Sequence, residues 1–123
     1  VNGSGQRGSA SVVVAAIVAA LVVMALGAAD LARVLTAAAA AQTAADAAAL
    51  AVAQELAVDG ELEPADLAVD YAARNGATVV ACACERDTFE AVVTVRAPVG
   101  PLLLFADDRA VEATARGVVD LPA

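Results

Sequence analysis

From Ser9 to Ala29 the chain contains no charge and no proline, and a single glycine, Gly27. Arg7 precedes this run and Asp30 ends it. About 20 such residues, each rising ~1.5 Å in a helix, match a hydrocarbon layer roughly 30 Å thick. A helix apolar on every side belongs in lipid or in the core of a large protein. A chain of 123 residues has no core of that size. The run therefore predicts a membrane-spanning helix over 9–29. The competing reading is a cleaved secretory signal: Arg7 as its basic end, Val12 to Leu26 as its apolar region, Gly27 to Ala29 as the cleavage site. Against it, the helical pattern continues past Ala29 with no breaker.

All 15 acidic residues follow Ala29, whereas Arg7 is the only charge before it. A positive flank favours the cytoplasmic side, which predicts residues 1–8 inside and the remainder outside. The net charge of -8 argues against nucleic acid as a partner. Only Phe89, Phe105 and Tyr71 are aromatic, so no aromatic ligand cleft is expected.

Residues 1–8 are polar and glycine-rich and read as a flexible N-terminus, with Ser9 or Ser11 capping the helix. Beyond Asp30 the alanine-rich pattern continues to Val58, where Asp59-Gly60 gives a stop. One helix from about Ser11 to Val58, roughly 70 Å long at ~1.5 Å per residue, is predicted. Its second part, 30–59, reads as an exposed extension. Helical spacing puts Val34, Ala38, Ala41, Ala45, Ala49, Val52 and Leu56 on one stripe. Thr36, Gln42, Thr43, Asp46 and Gln54 lie opposite. The stripe is expected to be a packing seam against a neighbouring helix; the alternatives are helix filler or packing against the chain's own head. Asp30 and Arg33, three apart, are expected to pair with each other or with a neighbour's charges, or to meet lipid headgroups.

Residues 60–123 read as a small α+β head. Pro64 starts a second helix that ends at Asn75-Gly76, with Leu67, Tyr71 and Ala68 inward. Three strands are expected: Thr78 to Cys84, Phe89 to Ala97, and a third from Ala110 to near Asp120, with Pro122 in a frayed tail. In the second, Ala91, Val93 and Val95 alternate with Glu90, Thr94 and Arg96; in the third, Val111, Ala113, Ala115 and Val119 oppose Glu112, Thr114 and Arg116. The apolar Leu102 to Phe105, before the Asp107-Asp108 turn, is expected to plug the head or to touch lipid or a neighbour.

In a straight strand Cys82 and Cys84 would stand about 6.5 to 7 Å apart at Cα, the outer limit for a disulfide. The expectation is two small buried thiols, with pairing to another chain as the alternative; a mutual bridge would need a kink. Histidine and lysine are absent, which removes the common nucleophile–base pairs, imidazole ligands and Schiff bases. No cofactor, metal site or enzyme activity is expected. Glu85, Asp87, Asp107 and Asp108 lack EF-hand spacing and read as solvated turn residues.

Taken in order, the chain resembles a known family. Arg7-Gly8-Ser9-Ala10 leads into the apolar run, followed by Gln42-Thr43-Ala44-Ala45-Asp46-Ala47-Ala48-Ala49-Leu50-Ala51. Then come Ala72-Ala73-Arg74-Asn75-Gly76-Ala77, Val79-Val80-Ala81-Cys82 and Val92-Val93-Thr94-Val95. From about Arg7 to Val119 this order resembles the TadE-like and TadG-like pseudopilins of tight-adherence (Flp, type IVc) pilus systems, most of all the small actinobacterial TadE-like proteins. The resemblance implies a type IV pilin-like α+β fold: a long N-terminal helix, a short second helix and a three-stranded antiparallel sheet. It implies a single-pass membrane minor pilin without enzyme activity, carried in some cases into an extracellular pilus. Its partners would be pilin-like subunits or copies of itself, the cytoplasmic membrane and a pilus assembly platform. The alternative is a single-pass accessory factor that never enters the filament. Two departures stand out. None of Gly3, Gly5 or Gly8 is followed by the glutamate that processed pilins carry at the fifth mature position. The second helix also lacks the cysteine through which relatives could pair with the strand cysteine.

Overall fold

The computed structural model describes residues 3–105 and 109–120. The expected Asp107-Asp108 turn and the tail at Pro122 lie outside them. The chain is α+β, with helices α1 (Gly3–Val58) and α2 (Pro64–Arg74) and strands β1 (Thr78–Ala83), β2 (Glu90–Pro98) and β3 (Ala110–Val118). The strands form one antiparallel sheet in the order β1-β2-β3.

Helix α1 starts at Gly3, not at Ser9 or Ser11, so most of the N-terminus expected to be flexible is helical. Extending an existing helix adds one hydrogen bond per residue fixed and needs no new nucleus, which offsets part of the glycines' poor propensity. At the other end Asp59 takes the left-handed conformation, with φ 50°, and the Gly60 N–H closes the last turn on the Glu55 carbonyl at 3.3 Å. The Glu55 carboxylate then accepts the Leu62 N–H at 2.8 Å and lies 3.6 Å from Arg86 in the β1–β2 connection. One side chain thus ties the α1–α2 turn to the hairpin.

The two halves of α1 differ in environment. Val12 to Met24 are more than half exposed at every large side chain, and the most apolar stretch is long and charge-poor enough to cross a membrane. After Asp30 one face of the helix is covered. Ala41, Ala44, Ala45, Ala48, Ala49, Val52 and Leu56 are buried against β2, β3 and α2, in one core with Ala68, Ala72, Ala91, Val93, Val95 and Ala115. This corrects the reading of 30–59 as an exposed extension and of the stripe as a seam for a neighbouring molecule. Ala41, Ala45, Ala49, Val52 and Leu56 face the chain's own sheet and second helix; Val34 is half-buried and Ala38 exposed. The periodicity requires that something cover that face, and the head does.

Alanine on α1 lets the sheet come very near, and Gly117 on β3 marks the closest approach. A Cβ there would stand 2.7 Å from the Ala49 carbonyl oxygen and 3.0 Å from the Ala53 Cβ. On α2 the innermost residues are Pro64, Ala68 and Ala72, one turn apart; Leu67 and Tyr71, expected inward, flank them half-buried. The smallest side chains thus take the line of contact with α1. The outer face of the sheet is polar and cross-linked. Arg96 pairs with Glu112 at 2.6 Å, Arg116 with Glu90 at 2.6 Å, and Thr94 bonds Thr114 at 2.9 Å.

Cys82 and Cys84 form a disulfide, which corrects the expectation of two thiols. The pairing register of β1 shifts between Val79 and Ala81, and the strand ends at Ala83. Cys84 thus lies just past the strand end, and its Cα stands 5.4 Å from that of Cys82, inside disulfide range and shorter than a straight strand allows. Alkylation of the denatured, unreduced protein is expected to add no label, and prior reduction should add two. Labelling without reduction would show that the bridge does not form.

Candidate functional site at the α1–loop clasp

Asp30 ends the apolar run, and a carboxylate in that position needs strong partners. It is 3% exposed. Its two oxygens accept the backbone N–H groups of Leu103 at 2.7 Å and Leu104 at 2.8 Å, both on the segment between β2 and β3. Arg33, one turn on, donates to the Pro101 carbonyl at 2.5 Å. In place of a direct Asp30–Arg33 hydrogen bond, the two side chains make three bonds to one loop. Burial pushes the Asp30 carboxyl up; the Leu103 and Leu104 N–H groups and the Arg33 charge outweigh it and leave the carboxyl below its ordinary value.

The loop is shaped for this contact. Val99 N–H bonds the Arg109 carbonyl at 2.9 Å, bringing the two ends of the segment together, and Gly100 takes φ 81°. Pro101 has no N–H to satisfy. The apolar Leu102–Phe105 does not plug the core. Leu103, Leu104 and Phe105 are 52%, 43% and 52% exposed, and the Arg109 guanidinium stacks over the Phe105 ring at 5.1 Å. Leu104 Cδ1 lies 3.7 Å from where a Cβ on Gly27 would stand, beside the last turn of the apolar run. Sequence reasoning singled out Asp30, Arg33 and the apolar segment separately. What joins them is contact across 73 residues of chain, which has no local signature.

On the side of α1 turned away from the head, Leu31, Leu35 and Leu50 are each about 60% exposed, with a Gln42–Asp46 hydrogen bond of 2.9 Å between them. Arg7 is exposed within α1. Among the described residues no three His, Cys, Asp or Glu side chains gather as a metal site. The grooves of the surface are shallow, like the one between Thr36, Ala40 and Val99.

Residues 8–55 match the family model described as Tad, putative Flp pilus-assembly TadE/G-like. The match lies wholly within α1 and does not reach the head. Comparison with curated proteins and with solved structures gives no match. Over these residues the long helix is similar to the TadE/G-like family model.

Proposed function

We propose that the chain is a structural subunit of a Tad/Flp-type pilus or related secretion filament, inserted in the cytoplasmic membrane through residues 9–29 and assembling through α1. The observation that carries this is the division of α1. The family match covers the helix, the head grips one face of its second half, and the first half is bare on all sides. A helix bare over that length is suited to lipid before assembly and to other pilin-like helices after it. The neighbour-facing surface continues through Leu31, Leu35 and Ala38, which the head leaves exposed. Arg7, just before the apolar run, supports a cytoplasmic N-terminus with the head outside.

Sheared surface filaments from cells carrying the whole pilus system test the reading. The chain is expected in the filament fraction, and Leu35→Arg is expected to deplete it there while membrane level and head stability are kept. A chain confined to the membrane fraction, with Leu35→Arg silent, would favour the accessory factor. A chain found in neither membrane nor filament would end both readings.

A further inference from the structure

We infer that the loop tip Leu103-Leu104-Phe105 is a second membrane contact, seated in the interfacial layer of the bilayer that α1 crosses. This rests on the proposed insertion of α1. The tip stands beside Gly27, within the last turn of the apolar run, and so at the depth where that run leaves lipid. Its three large side chains are exposed and extend the bare surface of Val12 to Met24 sideways from the helix.

Three of the backbone groups that would oppose insertion are already engaged. The Leu103 and Leu104 N–H groups are held by Asp30, and the Pro101 carbonyl is held by Arg33. Bringing unbonded backbone groups into lipid is costly, and the clasp removes part of that cost. The Asp30 charge is hidden by the same bonds. Cations frame the tip on the head side: Arg109 lies over the Phe105 ring, and Arg33 lies one turn beyond Asp30. Apolar side chains below with guanidinium groups above match the interfacial order of acyl chain and phosphate. Asp30 and Arg33 therefore act as positioning residues for a lipid-facing loop.

The chain contains no tryptophan, so single-tryptophan variants report position directly. The full chain, reconstituted at low density in phosphatidylcholine–phosphatidylglycerol vesicles, would be measured as Phe105→Trp, Leu21→Trp and Phe89→Trp. Lipids brominated near the headgroup or near the chain end serve as quenchers. Phe105→Trp is expected to emit blue-shifted and to be quenched most by the shallow bromine. Leu21→Trp should be quenched by the deep one, and Phe89→Trp by neither. Leu103→Trp repeats the measurement should Phe105→Trp fold poorly. Tip emission resembling Phe89→Trp, or blue-shifted yet unquenched by either lipid, overturns the inference while leaving α1 inserted. Loss of quenching at Leu21→Trp as well would instead overturn the insertion of α1.

Discussion

Gly117→Val is expected to separate the sheet from α1 and to leave the head without a cooperative melting transition. The obstacle to a side chain at Gly117 is backbone: the Ala49 carbonyl oxygen stands 2.7 Å from the required Cβ. A flexible side chain could turn aside, whereas a carbonyl inside a helix can move only with the helix. Overpacking of a well-filled core costs typically ~1–3 kcal/mol, and a clash between two backbones belongs at the upper end, about 3 kcal/mol. Small domains have little more than that to lose, since their stability is the residue of large opposing contributions. Thermal unfolding in detergent, followed by circular dichroism and by protease resistance of residues 60–120, measures it. Ala45→Leu should lower the transition by a smaller amount, because it adds bulk on the same fully buried line. Ala39→Leu, on the exposed side, should leave it in place. A Gly117→Val protein that melts with its parent would show that the sheet does not approach α1 this closely.

Asp30→Ala is expected to free the Leu103–Phe105 loop from α1 while the distant core stays folded. The substitution removes two charge-assisted hydrogen bonds at once, each roughly twice as strong as a neutral one, and leaves two backbone donors unpaired. Amide exchange at Leu103 and Leu104 should lose its protection, while that at Val93 and Val95 should be unchanged. Acid should do the same to the parent protein. Because the folded carboxyl titrates below its ordinary value, its contribution is complete above the unfolded value of about 3.9. It is lost as pH falls through the lower, folded value. The clasp is thus insensitive to pH from neutrality down to about 5 and opens only in strong acid. Asp30→Asn retains one carbonyl acceptor, so one of the two amides should stay protected and the acid dependence should vanish. Unchanged exchange in Asp30→Ala would show that the loop is held by its apolar contacts alone.

How much of this was legible in the sequence follows from which contacts are local. Pro64 and Asn75-Gly76 bracket α2 because each constrains its own backbone, and the alternation in Glu90–Pro98 placed Ala91, Val93 and Val95 inward as observed. The alanine stripe was legible as a buried face, but periodicity states that a face is covered without stating by what. Gly117 gave no signal, because it interrupts a strand pattern as any glycine would, and its meaning lies in Ala49 on another element. The bridge from Cys82 to Cys84 depends on β1 ending at Ala83, and where a strand stops pairing with its neighbour is not written in either strand alone. Asp30 and Arg33 were identifiable as charges at the end of an apolar run, while their partners, 68 to 74 residues further on, were not.

The placement of β3 has a consequence in time. During synthesis α1 emerges first, and its alanine face is complete well before Ala110–Val118 exist to cover it. Contacts between segments so far apart in the chain form late, since the loop must close before they stabilise anything. Until then the nascent chain displays a long, weakly apolar helix face of small side chains, open to other helices of the same kind. Arrival of the final strand closes the part of that face that α2 and β2 leave open, so a chain interrupted before residue 110 would remain adhesive where the finished protein is closed.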